Sequence, residues 1–179
     1  GLVKGMNKLG DDFSANRVFV PEMLIAARCM SAATELLKPH MVGEGGESAT
    51  VGSAVIGTVR GDMHDIGKNL VKIMMEGSGI EVYDLGTDVS AEQFIETAVE
   101  HDCGIIACSS LLTTTMNEMR RVVSLAEEQG IRQKVRILIG GAPISQSFCD
   151  EIGADVYTED AGAAARAAVE ILRACPTGK

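Results

Sequence analysis

The sequence has no tryptophan and only four Phe and two Tyr. Its core must therefore be built from aliphatic side chains, alanine and the nine methionines. It also lacks a basic patch. Acidic residues outnumber basic ones 25 to 16, the net charge is −9, and Arg120–Arg121 is the only adjacent basic pair. That balance argues against nucleic acid as a partner, because neutralising phosphates needs clustered Lys and Arg. No apolar run approaches the roughly 20 residues that cross a bilayer, and no secretory signal is evident; no membrane role is expected. The five cysteines, Cys29, Cys103, Cys108, Cys149 and Cys175, form no CxxC pair. An odd number without a framework fits the reducing cytoplasm, and Cys103 and Cys108 read as small hydrophobes in an apolar run. The first residue is Gly, and the native start is expected upstream.

What is present divides in two. Leu2, Met6, Leu9 and Phe13 recur at helical spacing. After a break at 14–20, Pro21 sits where a second helix would start. Met23, Ala27, Met30, Thr34 and Leu37 continue such a stripe until Pro39, where the helix is expected to stop. Two short helices cannot bury both stripes alone. Residues 1–40 are therefore expected to dock elsewhere, as the latter half of a helical bundle. The stretch 41–50, rich in Gly and Glu, reads as a linker. Residues 51–175 then alternate apolar runs (52–59, 81–85, 103–109, 135–139, 154–157) with helical stretches (66–77, 90–101, 114–129, 145–152, 160–174). Five βα units with near-continuous apolar strands specify an α/β fold: a Rossmann-like, flavodoxin-like parallel sheet with helices on both faces. Ligands in such sheets bind beyond the carboxyl ends of the strands.

At the first strand end stands GDMHDIGKNL, residues 61–70. It is not a phosphate loop. Five residues separate Gly61 from Gly67, Lys68 is followed by Asn69, and Asp62 and Asp65 would repel phosphate. No GxGxxG occurs either. Alone, DxHxxG is a common pattern, and its acids could simply cap a helix. The third strand end, however, carries SSLLTTT (109–115), and the fourth carries GGAP (140–143). Hydroxyls and glycines at one sheet edge form a slot that a large ligand can approach closely. Between motifs lie 41 residues from Gly67 to Ser109 and 28 from Leu111 to Gly140.

Together these residues resemble the cobalamin-binding signature DxHxxG…SxL…GG of the corrinoid methyl carrier proteins of methylamine, methanol and methoxyarene methyltransferase systems, and of the cobalamin module of methionine synthase. The resemblance covers nearly the whole chain, and implies that residues 1–40 are the latter part of a four-helix cap. It implies cobalamin or a related corrinoid bound base-off, with His64 as the cobalt ligand and Asp62 holding the other ring nitrogen. Thr115 would complete the hydroxyl relay, where methionine synthase has serine. Asp65 belongs to the same loop, and Gly67 would admit the cofactor's nucleotide tail. Ser109, Leu111 and Thr113 would line the tail's slot, with Gly140 and Gly141 leaving it room. Phe13 and Val20, seven apart, match the residues that cap the upper face. His40 and His101 read as ordinary surface histidines. The implied function is a carrier subunit, not a complete enzyme. It would take a methyl group on cobalt from a substrate-specific methyltransferase to an acceptor methyltransferase, with a reductive activase as a further partner. A cobalamin-sensing regulatory module is the alternative, and the small subunit of a carbon-skeleton mutase is a third reading that the helical segment disfavours.

Overall fold

The structure is a computed structural model that describes residues 2–41 and 50–174. Five strands, β1 (Gly52–Thr58), β2 (Ile80–Asp84), β3 (Ile105–Ser109), β4 (Arg136–Gly140) and β5 (Val156–Tyr157), form one sheet in the order β2-β1-β3-β4-β5. Every pairing is parallel. The chain steps outward from β1 to β2, then crosses back to β3 and proceeds the other way. The gap beyond the carboxyl ends of β1 and β3 is thus the switch point where this class of sheet binds its ligands.

Successive strand residues feed two cores, because side chains alternate across a sheet. Val55, Ile106, Ile137 and Ile139 join the core covered by α4 (Ala91–Glu100), α5 (Met116–Glu128) and α6 (Gln146–Ile152). Ala54, Ile56, Ile105, Ala107 and Leu138 join the other, covered by α3 (Ile66–Gly77) and α7 (Ala161–Ala174). Burial on both faces explains why these strands read as continuous apolar runs. The third strand begins two residues later than expected and the fifth is shorter, since Cys103 and Ala154 pack beside the sheet without joining its ladder.

Two further helices, α1 (Leu2–Ser14) and α2 (Val20–Met41), lie on the α3/α7 side. Met6 is buried, and its side chain fills the place where a Cβ on Gly77 would stand. Gly10 of α1 meets Gly162 of α7 so closely that a Cβ on Gly162 would fall 3.0 Å from the Gly10 carbonyl oxygen. Ser14 Oγ donates to Asp160 Oδ1 (3.0 Å), which also accepts the Ala163 N–H (2.8 Å), and Arg166 pairs with Asp11. Asn16, with φ +56°, ends α1 in a left-handed turn. Along α2, Met23 and Ala27 are buried, whereas Leu24, Ile25 and Leu36 are exposed. The helix does not stop at Pro39 but runs to Met41. A proline in the last turn removes one hydrogen bond, and helix ends are defined only to within a residue or two. The expected linker falls, over 42–49, outside the described residues, as does Cys175. Cys103, Cys108 and Cys149 are buried free thiols and Cys29 is exposed. Among the described residues no helix is long and apolar enough to cross a membrane.

One buried ion pair anchors α3 to the end of β2. Lys68 is 2% exposed, and its Nζ lies 2.6 Å from Asp84 Oδ1. Lys72 reaches the second oxygen at 3.2 Å, and the Gly86 N–H donates to the first at 2.9 Å. Burial pushes the Asp84 carboxyl up, but Lys68, the Gly86 N–H and Lys72 together hold it below its ordinary value. A depressed acid stabilises the fold above its unfolded pKa, about 3.9, and loses that contribution as pH falls through the folded value. Asp84→Asn strands Lys68 and should cost about 2 kcal/mol at pH 7. Urea titrations should show the difference from wild type shrinking as the pH is lowered below about 4.

Candidate cofactor site

The site is built on one carboxylate. Asp62 follows β1 and is fully buried. Its Oδ1 lies 2.7 Å from His64 Nδ1 and accepts the His64 backbone N–H at 3.1 Å. Its Oδ2 accepts the N–H groups of Leu111 (2.7 Å) and Leu112 (3.2 Å), the Thr115 hydroxyl (3.2 Å) and, at 3.5 Å, the Ser110 hydroxyl. Burial would raise the Asp62 pKa. The Leu111 N–H, the His64 ring and the His64 and Leu112 N–H groups overcome that and hold it far below the carboxylate range. The group is therefore an anion at any physiological pH. Facing it, Nδ1 of His64 is the protonated nitrogen, which leaves Nε2 as the lone-pair donor.

Backbone geometry aims the ring outward. Gly61 takes φ +80°, and its N–H donates to Asp88 Oδ1 at 2.7 Å. Thr58 Oγ1 donates to the His64 carbonyl at 2.8 Å, and the Asp88 N–H to that of Asp62 at 3.0 Å. Clamped in this way, the imidazole side chain is still 53% exposed. It stands at the mouth of a cleft of about 730 Å³ between α3 and α7, above β1, β3 and β4. Met63 and Ile66, at 69% and 79% exposure, leave an apolar surface beside it.

Most of the residues singled out in the sequence meet here. His64, Asp65, Gly67, Ser109, Leu111, Gly140, Gly141 and Phe13 all line the cleft. The place of a Cβ on Gly67 is open space. Gly141 has φ +134°, and a Cβ there would fall 1.8 Å from the Ser110 carbonyl oxygen, so no other residue fits. Asp62 and Thr115 lie behind the cleft as the buried relay. Two residues stand apart: Thr113 is exposed on the turn before α5, and Val20 starts α2 partly exposed, and neither lines the cleft. His101 stacks on Tyr83 with ring centroids 3.9 Å apart, and the side chain of His40 lies outside the described residues. Sequence reading gave no role to Ser110, which is fully buried and shares a 2.8 Å hydrogen bond with Thr115. Nor did it find Thr58 or Asp88. The doubled serine in SSLL was the available signal, since a strand-end hydroxyl in an apolar run needs a buried partner.

This donor set suits one kind of metal. Among the described residues no three His, Cys, Asp or Glu side chains converge to hold an ion. A single oriented imidazole at an apolar cleft fits a metal whose remaining positions are already filled by a macrocycle. Fold and site thus define a flavodoxin-like domain with one oriented imidazole at the mouth of an apolar cleft. The profile of the B12 binding domain matches residues 52–170, and a second profile of that description matches 1–38. The chain belongs to the B12-binding family of corrinoid proteins. It is 44% identical over 172 residues to dimethylamine corrinoid protein 1 of Methanosarcina acetivorans, covering 96% of this chain and 80% of that protein. A cobalamin-binding protein from Desulfitobacterium hafniense superposes with TM-score 0.81 at 31% identity, over 94% of this chain and 78% of that one. A chain of the methanol:cobalamin methyltransferase complex of Methanosarcina barkeri gives TM-score 0.82 at 29% identity, over 99% and 70%.

Two substitutions probe the frame. Thr115→Val keeps the shape but removes the hydroxyl, and should lower unfolding free energy by about 1 kcal/mol in a denaturant titration. Gly141→Ala collides with backbone, not with a yielding side chain; it should cost about 3 kcal/mol or prevent folding, which soluble yield and thermal unfolding will report.

Proposed function

We propose that this chain is a corrinoid methyl carrier that holds cobalamin base-off, with His64 as the lower axial ligand. The observation that carries this reading is the His64 ring, pinned through Nδ1 on a buried anion and presenting Nε2 at an apolar cleft. When bound, the corrinoid supplies a cobalt centre that accepts and releases a methyl group. The protein's own part is electrostatic and positional. Asp62 fixes the tautomer and raises the basicity of Nε2. Because Asp62 is locked by Leu111, Leu112, Thr115 and Ser110, the imidazole can be engaged or released without the loop rearranging.

Gly67, Ser109, Leu111, Thr113, Gly140 and Gly141 would accommodate the nucleotide tail, with Asp65 at the rim. Residues 1–40 would act as the cap, in which Phe13 and Val20 shield the upper face, and 51–175 as the cofactor-binding domain. Phe13, on the wall of the cleft, is the better supported of the pair. The partners we assign are a substrate-specific methyltransferase, an acceptor methyltransferase and a reductive activase, in the cytoplasm. Relatives described as methylamine corrinoid proteins, and the likeness to a chain of a methanol:cobalamin methyltransferase complex, support that assignment.

The test is spectroscopic. His64→Ala should bind cobalamin more weakly and lose the absorption and EPR features of an axial imidazole; unchanged spectra with the cofactor bound would refute the ligand assignment. Asp62→Asn should keep those features while weakening cofactor affinity by about tenfold to a hundredfold, read by equilibrium dialysis.

A further inference from the structure

Two hydroxyls, not one, stand behind Asp62. Thr115 Oγ1 lies 3.2 Å from Asp62 Oδ2, and Ser110 Oγ, at 3.5 Å, makes the longest contact of the set. The Ser110 backbone is pinned where β3 ends. Its N–H donates to the Gly140 carbonyl at 3.1 Å, and Gly141 packs directly against its carbonyl oxygen. The side chain is fully buried, with its oxygen 2.8 Å from that of Thr115.

The two hydroxyls carry two protons. Whichever donates across the 2.8 Å contact, one proton is spent there and one is left. The Leu112 carbonyl is near both, 3.0 Å from Thr115 and 3.2 Å from Ser110, but it already accepts the Thr115 N–H at 3.1 Å. Asp62 is a buried anion, and a charged acceptor draws a proton more strongly than a neutral one. If Thr115 donated to Ser110, the remaining proton would reach the carboxylate only across 3.5 Å. If Ser110 donates to Thr115, the proton is delivered across 3.2 Å, and a hydroxyl that accepts a bond becomes a better donor. The second order, from Ser110 through Thr115 to Asp62, is the favoured one.

This chain opposes what the carboxylate does at its other oxygen. Oδ1 draws on the Nδ1 proton of His64 and so raises the basicity of Nε2. Each donor added at Oδ2 withdraws negative charge from that pull. We infer that Ser110 is a positioning residue that acts through Thr115 to temper the axial imidazole, holding it as a weaker cobalt ligand than Asp62 without the hydroxyls would make it. The inference rests on the proposed cofactor site and assigns it a control on ligand strength. A ligand that must be both engaged and released works best when its bond has such a limit.

The full chain loaded with cobalamin provides the test, by EPR of the Co(II) form and spectroelectrochemical titration of its reduction to Co(I), a state that keeps no axial ligand. Ser110→Ala should strengthen the axial bond, so that the couple moves to lower potential by the equivalent of about twofold to tenfold in the ligation equilibrium. A purely structural role predicts the opposite sign, because a loosened site weakens the axial bond and raises the potential. Thr115→Val should shift the couple the same way as Ser110→Ala, and combining the two should add almost nothing, since the route to Asp62 is already cut. Ser110→Cys, which keeps the volume with a weak donor, should fall between wild type and Ser110→Ala, and it replaces the alanine variant if that one does not fold. A shift to higher potential, no shift, or a Ser110→Ala effect of full size in the Thr115→Val background overturns the inference and leaves the carrier reading intact. Wild-type protein that binds cobalamin without the EPR splitting of an axial nitrogen overturns the ligand assignment itself, and the inference with it.

Discussion

Asp62 is the constraint from which the rest of the site follows. A carboxylate taken wholly out of water is costly unless its lone pairs are met. Here they are met by groups from two separate strand ends: the His64 ring and N–H after β1, and two backbone N–H groups and two hydroxyls after β3. Neither loop can shift without exposing the charge to an unpaired state. The same bonds that satisfy the acid therefore fix the ring that leads out of it. Polarity is concentrated at one buried point so that the surface it supports can remain apolar.

The sheet divides its labour between faces. On the α4–α6 side the core is filled with Phe94, Met119, Phe148 and the isoleucines. On the other side alanines stand where larger residues would serve packing better, at Ala107, Ala161 and Ala164. Burial given up there is offset by the full core on the opposite face. Stability and ligand space are thus assigned to opposite surfaces of one set of strands.

Much of the architecture was legible because both signals were strong. Continuous apolar strands can be buried only on two faces, and five such runs separated by helices leave one economical arrangement, which the order β2-β1-β3-β4-β5 realises. Boundaries failed where a local breaker met a favourable context, as with Pro39 inside the last turn of α2. At the site, chemistry-bearing types announced themselves: His64 between two acids, glycines beside strand ends. Ser110, Thr58 and Asp88 did not, because each acts through a distant backbone or carboxyl group that no spacing rule connects. Lys68 follows Gly67 in the same motif, yet its Nζ is bound to Asp84, sixteen residues on. A side chain's direction is set by packing, which a linear pattern does not carry.

The seam between α1 and α7 has a property of its own. Asp160 holds Ser14 of α1 and, with the same oxygen, the Ala163 N–H of its own helix. Lifting α1 away breaks the first bond and spares the second, so α7 keeps its N-terminal anchor with or without a neighbour. Other ties are the exposed Arg166–Asp11 pair and the close crossing of Gly10 and Gly162, where Met74 of α3 fills the space beside Gly10. The joint between these two helices is smooth, like a drawer runner, with no hydrogen-bond ladder to tear on either; what seats α1 on the body is the buried Met6 side chain, lodged against Gly77 of α3.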